Sequence, residues 1–315
     1  MINELNEIRG AKALLVASTG GHLHQLNLIS RRLKLSSKSQ WVTFDHPQSR
    51  SLLESGRVNF IPYIAPRDLK KICQAIRPIS QILSSEDFQV VISTGAGVAV
   101  PALVTGRAKG IESLYIESVS RFDGPSLSGK ILTYVPGVSL FTQHEEWAGG
   151  KWKRTQSVLT DYTRKFDQSK EHLTPAKVFV TLGTIKPYRF DSLIERVLHI
   201  SPPWSRLVWQ VGNTTRRDLP GIVRSTLDSD EFDDHVMSAD VTITHAGVGS
   251  ALRILELGRC PVMVPRRRSR GEHVDDHQQQ IGTKLSRLGL AQFSEVEDLT
   301  WEQVEKASRA LVDHL

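Results

Sequence analysis

The amino-acid sequence predicts an α/β protein built from two doubly wound, parallel-sheet, Rossmann-like domains, and three observations carry that prediction. Short apolar and β-branched runs alternate with helix-period segments along both halves of the chain. Four of these runs lead directly into glycine-containing turns, after Ala17, Ser93, Leu182 and Thr244, as strands do when they open a strand-turn-helix unit. The chain has 315 residues, more than one hydrophobic core usually serves, so two domains of roughly 150 residues are expected.

In the first half, an apolar run over 13–17 enters Ser18-Thr19-Gly20-Gly21-His22, and a helix follows through Leu23, Leu26, Ile29 and Leu33. Strands are expected at 41–44, 59–64, 90–93 and 114–117. Helices fall between them at 49–56, along Leu69, Ile72, Ile76, Ile79 and Leu83, and at 99–106 after the Thr94-Gly95-Ala96-Gly97 turn. From 118 to 154 the pattern degrades into loops. The polar, aperiodic stretch 161–175 marks the boundary, giving domains over 1–162 and 177–315 joined by a linker at 163–176. In the second half strands are expected at 178–182, 207–211, 241–244 and 261–264. Helices are expected at 190–199, just after Phe232, and at 251–257. Ligands of such sheets sit at the carboxyl ends of the strands, so all four glycine turns would line one cleft if the domains face one another.

Composition narrows the function. Hydrophobic content of 39% and charged content of 23% are those of an ordinary soluble protein. No run of about 18 apolar residues or signal-peptide core occurs, so a soluble or peripheral protein is expected. Cys73 and Cys260 lie far apart in apolar surroundings, which predicts buried, reduced thiols in a cytoplasmic protein. A net charge of +6 and a pI near 9.3 favour anionic partners. Zinc-finger spacing and the RNA-recognition aromatic motif are missing, so nucleic acid is not expected.

The chemistry concentrates in 238–280. A β-branched strand runs into His245-Ala246-Gly247-Val248-Gly249-Ser250 and then a helix. Gly247 and Gly249 leave no Cβ between the backbone N–H groups at the helix start and an anion such as a phosphate. Glu256, two turns along from Gly249, suits a ribose hydroxyl pair; a plain tight turn and a solvated glutamate are the competing readings. Arg266, Arg267, Arg268 and Arg270 follow the next strand and would pair with phosphates or a uronic-acid carboxylate, or form an exposed basic loop. Trp147 and Trp152 beside Lys151, Lys153 and Arg154 suit a membrane-interface patch, or core packing.

The strings VFVTLGT at 178–184, HAGVGS at 245–250 and VPRRRSRGEHVDDHQ at 264–278 resemble the donor-binding domain of glycosyltransferase family 28, nearest to bacterial exopolysaccharide and capsule transferases. STGGHLHQL at 18–26, ISTGAGVAVP at 92–101 and YIESVSRFDGPSLSGK at 115–130 resemble the acceptor-side Alg14-like partner, so the Alg13/Alg14-type halves look fused in a GT-B arrangement. The resemblance implies inverting, metal-independent transfer from a UDP-sugar to a polyprenyl-diphosphate-linked saccharide, with no cofactor, at the inner face of the plasma membrane; glucuronosyl, galactosyl and glucosyl transfer all remain open. It assigns the diphosphate to Gly247, Gly249 and Ser250 with His245, closed over by Gly183 and Thr184. Glu256 takes the ribose, and Asp276, His277, Gln278 and Gln279 take the donor sugar. His22 would be the base, with Glu117 as its competitor and a helix cap or phosphate contact as its bland role. Gly20, Gly21, Gly95 and Gly97 form the acceptor-side turns. A UDP-N-acetylglucosamine 2-epimerase and a non-catalytic nucleotide-binding subunit are the alternatives.

Overall fold

The computed structural model describes residues 4–65, 68–166, 174–184, 186–216, 218–273 and 276–314, with Phe166 and His277 described by backbone only. The chain divides into two compact units, Met1–Thr160 and Asp161–Leu315.

The first unit runs α1 Glu4–Glu7, β1 Ala13–Ala17, α2 Gly21–Arg32, β2 Gln40–Phe44, α3 Pro47–Leu52, β3 Arg57–Ile61, α4 Leu69–Ser85, β4 Val90–Gly95, α5 Ala99–Ala108, β5 Glu112–Ile116, α6 Leu127–Leu132, β6 Val138–Thr142 and β7 Trp152–Arg154. Its strands form one parallel sheet in the order β3-β2-β1-β4-β5-β6-β7. Helices cover the central strands, so β1, β2 and β4 are buried along their whole length; in β1 and the first half of β4 this shows as continuous apolar runs rather than alternation. In α4 the buried stripe is Ala75, Ile79 and Leu83, at helical spacing, while Leu69 and Ile76 from the expected apolar face are exposed.

Two expectations are corrected here. The stretch 118–154, read as loops, contains α6, β6 and β7. Trp152 is a core residue at 8% exposure, edge-on to Tyr115 and Trp147, and Trp147 donates its indole N–H to the Arg121 carbonyl at 2.9 Å. The tryptophans therefore pack the end of the sheet rather than face a bilayer. Cys73 also differs from expectation: it is exposed on α4, whereas Cys260 is buried and its thiol is pushed up to about 11 by that burial.

The second unit runs β8 Tyr162–Phe166, β9 Lys177–Thr181, α7 Asp191–Ile200, β10 Arg206–Gln210, β11 Ile222–Arg224, α8 Ser229–Ser238, β12 Val241–His245, α9 Val248–Glu256, β13 Val262–Val264, α10 His277–Arg287, β14 Gln292–Phe293, α11 Trp301–Ser308 and β15 Ala310–His314. Its parallel sheet has the order β11-β10-β9-β12-β13-β14. Phe232 lies inside α8 rather than before it. The segment 163–176 is not linker throughout: β8 pairs antiparallel with β15, Tyr162 opposite His314 and Phe166 opposite Ala310, which ties the start of the unit to its end.

Candidate functional site

Each sheet reverses its winding once. In the first the reversal falls between β1 and β4, in the second between β9 and β12, and a crevice opens at the carboxyl ends of strands that diverge in this way. The four glycine turns foreseen from the sequence follow these four strands, two to each reversal.

In the first unit Gly20, at φ +79°, caps α2, and Gly21 and His22 form its first turn. The His22 side chain crosses the reversal: Nδ1 donates to the Thr94 carbonyl at 2.8 Å, and the Thr94 hydroxyl returns a bond to the His22 carbonyl at 2.7 Å. A carbonyl only accepts, so Nδ1 carries the proton and the neutral ring keeps its Nε2 lone pair. Burial lowers the His22 pKa below the usual histidine value, against the Thr94 carbonyl and with the Arg121 charge. The imidazole is therefore neutral at pH 7, as a base must be. Gly95, at φ +130°, admits the ring: a Cβ there would lie 2.7 Å from His22 Cε1. Gly97 leaves room for Ile72 and Ile64.

Glu117 is fully buried at the end of β5, where it was expected to compete as the base. Its oxygens accept from the Tyr115 hydroxyl at 3.0 Å, Ser118 N at 3.1 Å, Ser126 N at 2.8 Å and the Ser126 hydroxyl at 3.0 Å. Four donors fill its lone pairs, and through them it holds the 118–126 loop and the start of α6. Burial raises its pKa, with these hydrogen bonds opposing. Two further buried side chains anchor the loop, and neither was singled out from the sequence. Gln25 accepts from Val119 N at 2.8 Å and donates to the Ser118 hydroxyl at 3.0 Å, and Gln143 donates to the Glu117 carbonyl at 3.1 Å. Their one sequence signal is a glutamine on an otherwise apolar helix stripe and another just beyond an apolar strand.

In the second unit Gly247 caps α9, and Val248, Gly249 and Ser250 form its first turn, with backbone N–H groups directed to the end of the sheet. His245, at the end of β12, packs against Gly183 and Gly247. Burial, with Arg266 and His273 adding to it, pulls its pKa down to about 3, so it is neutral. Thr184 is exposed beyond Gly183, which sits at φ +75°. Glu256, in the last turn of α9, is held by Arg253 at 3.3 Å, and Arg253 is also paired with Asp233.

The basic loop after β13 departs from expectation. Arg267 clamps Glu295 through Nε at 3.0 Å and Nη2 at 2.6 Å, and reaches Gln279 Oε1 at 2.9 Å. Arg270 pairs with Glu272 at 3.0 Å and Glu297 at 2.6 Å. These two arginines staple the loop to the following segment. Arg266 is fully buried, with Nη2 donating to the Leu182 carbonyl, and only Arg268 of the four is largely exposed. Gln278 is buried and accepts from Arg266 N at 2.9 Å; Asp276 accepts from Arg268 N at 3.1 Å. The His277 side chain lies outside the described residues. Among the described residues no group of three or more His, Cys, Asp or Glu side chains is placed to hold a metal ion, and no helix is long and apolar enough to cross a membrane.

Two parallel sheets, each with a glycine turn at its reversal, define the fold as GT-B, the architecture of a large group of glycosyltransferases. More particularly, residues 178–314 match the glycosyltransferase family 28 C-terminal domain. Over 125 residues the chain is 33% identical to UDP-N-acetylglucosamine transferase subunit ALG13 of Mus musculus, an alignment that covers 36% of this chain and 10% of that one. The chain thus spans about a tenth of the length of the curated relatives it matches. Among solved structures, MurG of Acinetobacter baumannii is 17% identical, with a TM-score of 0.55 over 94% of this chain and 89% of that one. The UDP co-structure of S. aureus MnaA is 10% identical, with a TM-score of 0.58 over 95% and 87%.

Proposed function

We propose that this protein is an inverting, metal-independent glycosyltransferase that moves a sugar from a UDP-sugar to a polyprenyl-diphosphate-linked saccharide in exopolysaccharide or capsule assembly. The observation that supports it most is the placement of the 245–250 turn and the α9 N-terminus at the β9/β12 reversal, within the domain matched at 178–314.

In this reading Gly247, Gly249 and Ser250 receive the diphosphate, Gly183 and Thr184 close over it, and Glu256 exchanges part of its contact with Arg253 for the ribose. Asp276, Gln278 and Gln279 border the donor sugar. The acceptor hydroxyl gives its proton to His22 Nε2 as its oxygen attacks the anomeric carbon. The bond from that carbon to the diphosphate oxygen breaks, and UDP leaves with the electron pair onto the helix terminus. For the membrane contact, the exposed side chains of Leu127 and Ile131 on α6, with Tyr134 just beyond it, flank the cation Lys130 and suit an anionic bilayer better than the core-packed Trp152 and the partly buried Trp147 do.

The test is incubation with a panel of UDP-sugars and a short-chain prenyl-diphosphate-glucose acceptor, following UDP release and the lipid product. Acceptor-dependent release of UDP with one donor is expected. Isomerisation of UDP-N-acetylglucosamine without acceptor would assign the protein to epimerases instead, and absence of binding to every nucleotide would end the reading.

A further inference from the structure

We propose that Arg266 alone among the four clustered arginines is the positioning cation of the anion-binding turn in the second unit, set to engage the diphosphate of a bound nucleotide. This inference rests on the nucleotide-sugar reading above and names the one fixed charge that the reading lacks.

The geometry is as follows. β13 lies beside β12, which lies beside β9, so Arg266, two residues past the end of β13, spans the end of β12 to reach the Leu182 carbonyl after β9. Its backbone N–H is held by Gln278 Oε1 at 2.9 Å, and its guanidinium lies 5.5 Å from the Phe190 ring centroid, which orients the plane. The residue is 0% exposed. Among the described residues Nε and Nη1 have no hydrogen-bond partner.

Buried donors without acceptors are uncommon and unfavourable, and a guanidinium tolerates neither deprotonation nor desertion cheaply. Arg267 and Arg270 have carboxylate partners on both counts, so the loop does not lack acids that could have served Arg266. Glu272 is the acid whose charge acts on Arg266, but its oxygens accept from Ser192, Arg267 N and Arg270 instead, which leaves Arg266 Nε and Nη1 for a ligand at the β9/β12 reversal. Burial draws its pKa down to about 10, so it stays protonated at pH 7. His245 next to it is neutral and cannot supply that charge. The ligand class that meets a helix N-terminus and a planar cation together is a phosphoric anhydride. Contact requires the guanidinium, 0% exposed and bonded to the Leu182 carbonyl, to be uncovered when the nucleotide enters.

Calorimetry with UDP and with uridine separates a charge role from a structural one. For Arg266→Gln we expect UDP affinity to fall by about 30-fold or more, the size of a charge-assisted hydrogen bond, with uridine affinity within twofold of wild type. Arg266→Lys should recover part of the loss. Equal losses for UDP and uridine, or unchanged UDP affinity, would overturn the proposal. Should the glutamine variant fail to fold, the wild-type protein provides the second measurement. Its Arg266 Nε–H resonance, assigned by its loss in Arg266→Lys, should move on adding UDP and not on adding uridine, and a stationary resonance would equally overturn it. A wild-type protein that binds no UDP refutes the nucleotide-sugar reading itself, a result distinct from binding that ignores Arg266.

Discussion

Replacement of His22 by alanine tests the base assignment most directly. The ring contributes one hydrogen bond to Thr94 and the packing of a half-buried side chain against Gly95, so its loss costs about 1–2 kcal/mol, well within the stability of a domain. The variant should fold and bind UDP nearly as the wild type does. Turnover should fall by roughly 100- to 10,000-fold, about 3–5 kcal/mol of barrier, because the acceptor proton has nowhere to go. The pH profile adds a second criterion. Burial places the folded pKa below the ordinary 6.5, so the neutral base predominates at pH 7 and is lost as the pH falls through that lower value. Wild-type kcat/KM should be flat through neutrality and decline on the acid side of pH 6.5, and the variant should lack this limb. Steady-state kinetics between pH 4.5 and 8.5 decide the matter. Turnover within threefold of wild type, or an acid limb that survives in His22→Ala, would remove His22 from the chemistry.

Four further outcomes are expected. Glu117→Ala should destabilise the protein by about 3 kcal/mol in urea unfolding, since Ser118 N, Ser126 N and two hydroxyls lose their buried acceptor, whereas Glu117→Gln should lower turnover less than tenfold; abolished turnover in a stable Glu117→Gln protein would restore Glu117 as the base. Glu256→Ala should weaken UDP about tenfold by calorimetry, and unchanged affinity would refute the ribose role. For His245, with a folded pKa of about 3, the unfolded state binds the extra proton between pH 6.5 and 3, so stability should drop as pH falls across that window. His245→Gln should lose less stability than wild type between pH 6.5 and 4, and equal losses would show that the ring is not held neutral. Leu127→Glu should reduce sedimentation with phosphatidylserine vesicles severalfold without changing UDP binding, and unaltered sedimentation would place the bilayer contact elsewhere.

The parts legible in the sequence share one physical property. Strands β1, β9 and β12 are packed on both faces beside a reversal, so their residues form unbroken apolar and β-branched runs that end in glycine, and local pattern suffices to find them. Elements that escaped are short or held by distant partners. β7 has three residues, and the large apolar side chains that α10 buries are just Ile281 and Leu285 among its described residues, in a segment that begins His-Gln-Gln-Gln, so neither presents enough periodicity. β8 looked like linker because its partner, β15, lies at the opposite end of the unit. The ion pairs of the arginine loop are illegible in the sequence for the same reason. Four adjacent charges look alike in sequence, and the acids that distinguish them, Glu295 and Glu297, stand 27 or 28 positions downstream.

The glycines themselves carry a lesson about how such turns specify a site. From the sequence, Gly247 is read as a gap through which a phosphate meets bare backbone, Gly183 as closing over that phosphate, and Gly95 as part of an acceptor-side turn. In the folded protein the space at each is partly filled by an imidazole: a Cβ at Gly95 would lie 2.7 Å from His22 Cε1, one at Gly183 would lie 2.6 Å from His245 Cε1, and one at Gly247 would overlap His245 Nε2. Each ring faces a carbonyl at or next to the end of the neighbouring strand: His22 donates to Thr94, and the Thr181 carbonyl acts on His245. A buried donor bond to a carbonyl fixes the tautomer, and burial keeps the ring neutral. The small residue is thus required first by the histidine and only then by any ligand. Alanine at Gly95 should therefore disturb the His22 tautomer and its pH profile without any phosphate present, which separates the two reasons for the glycine.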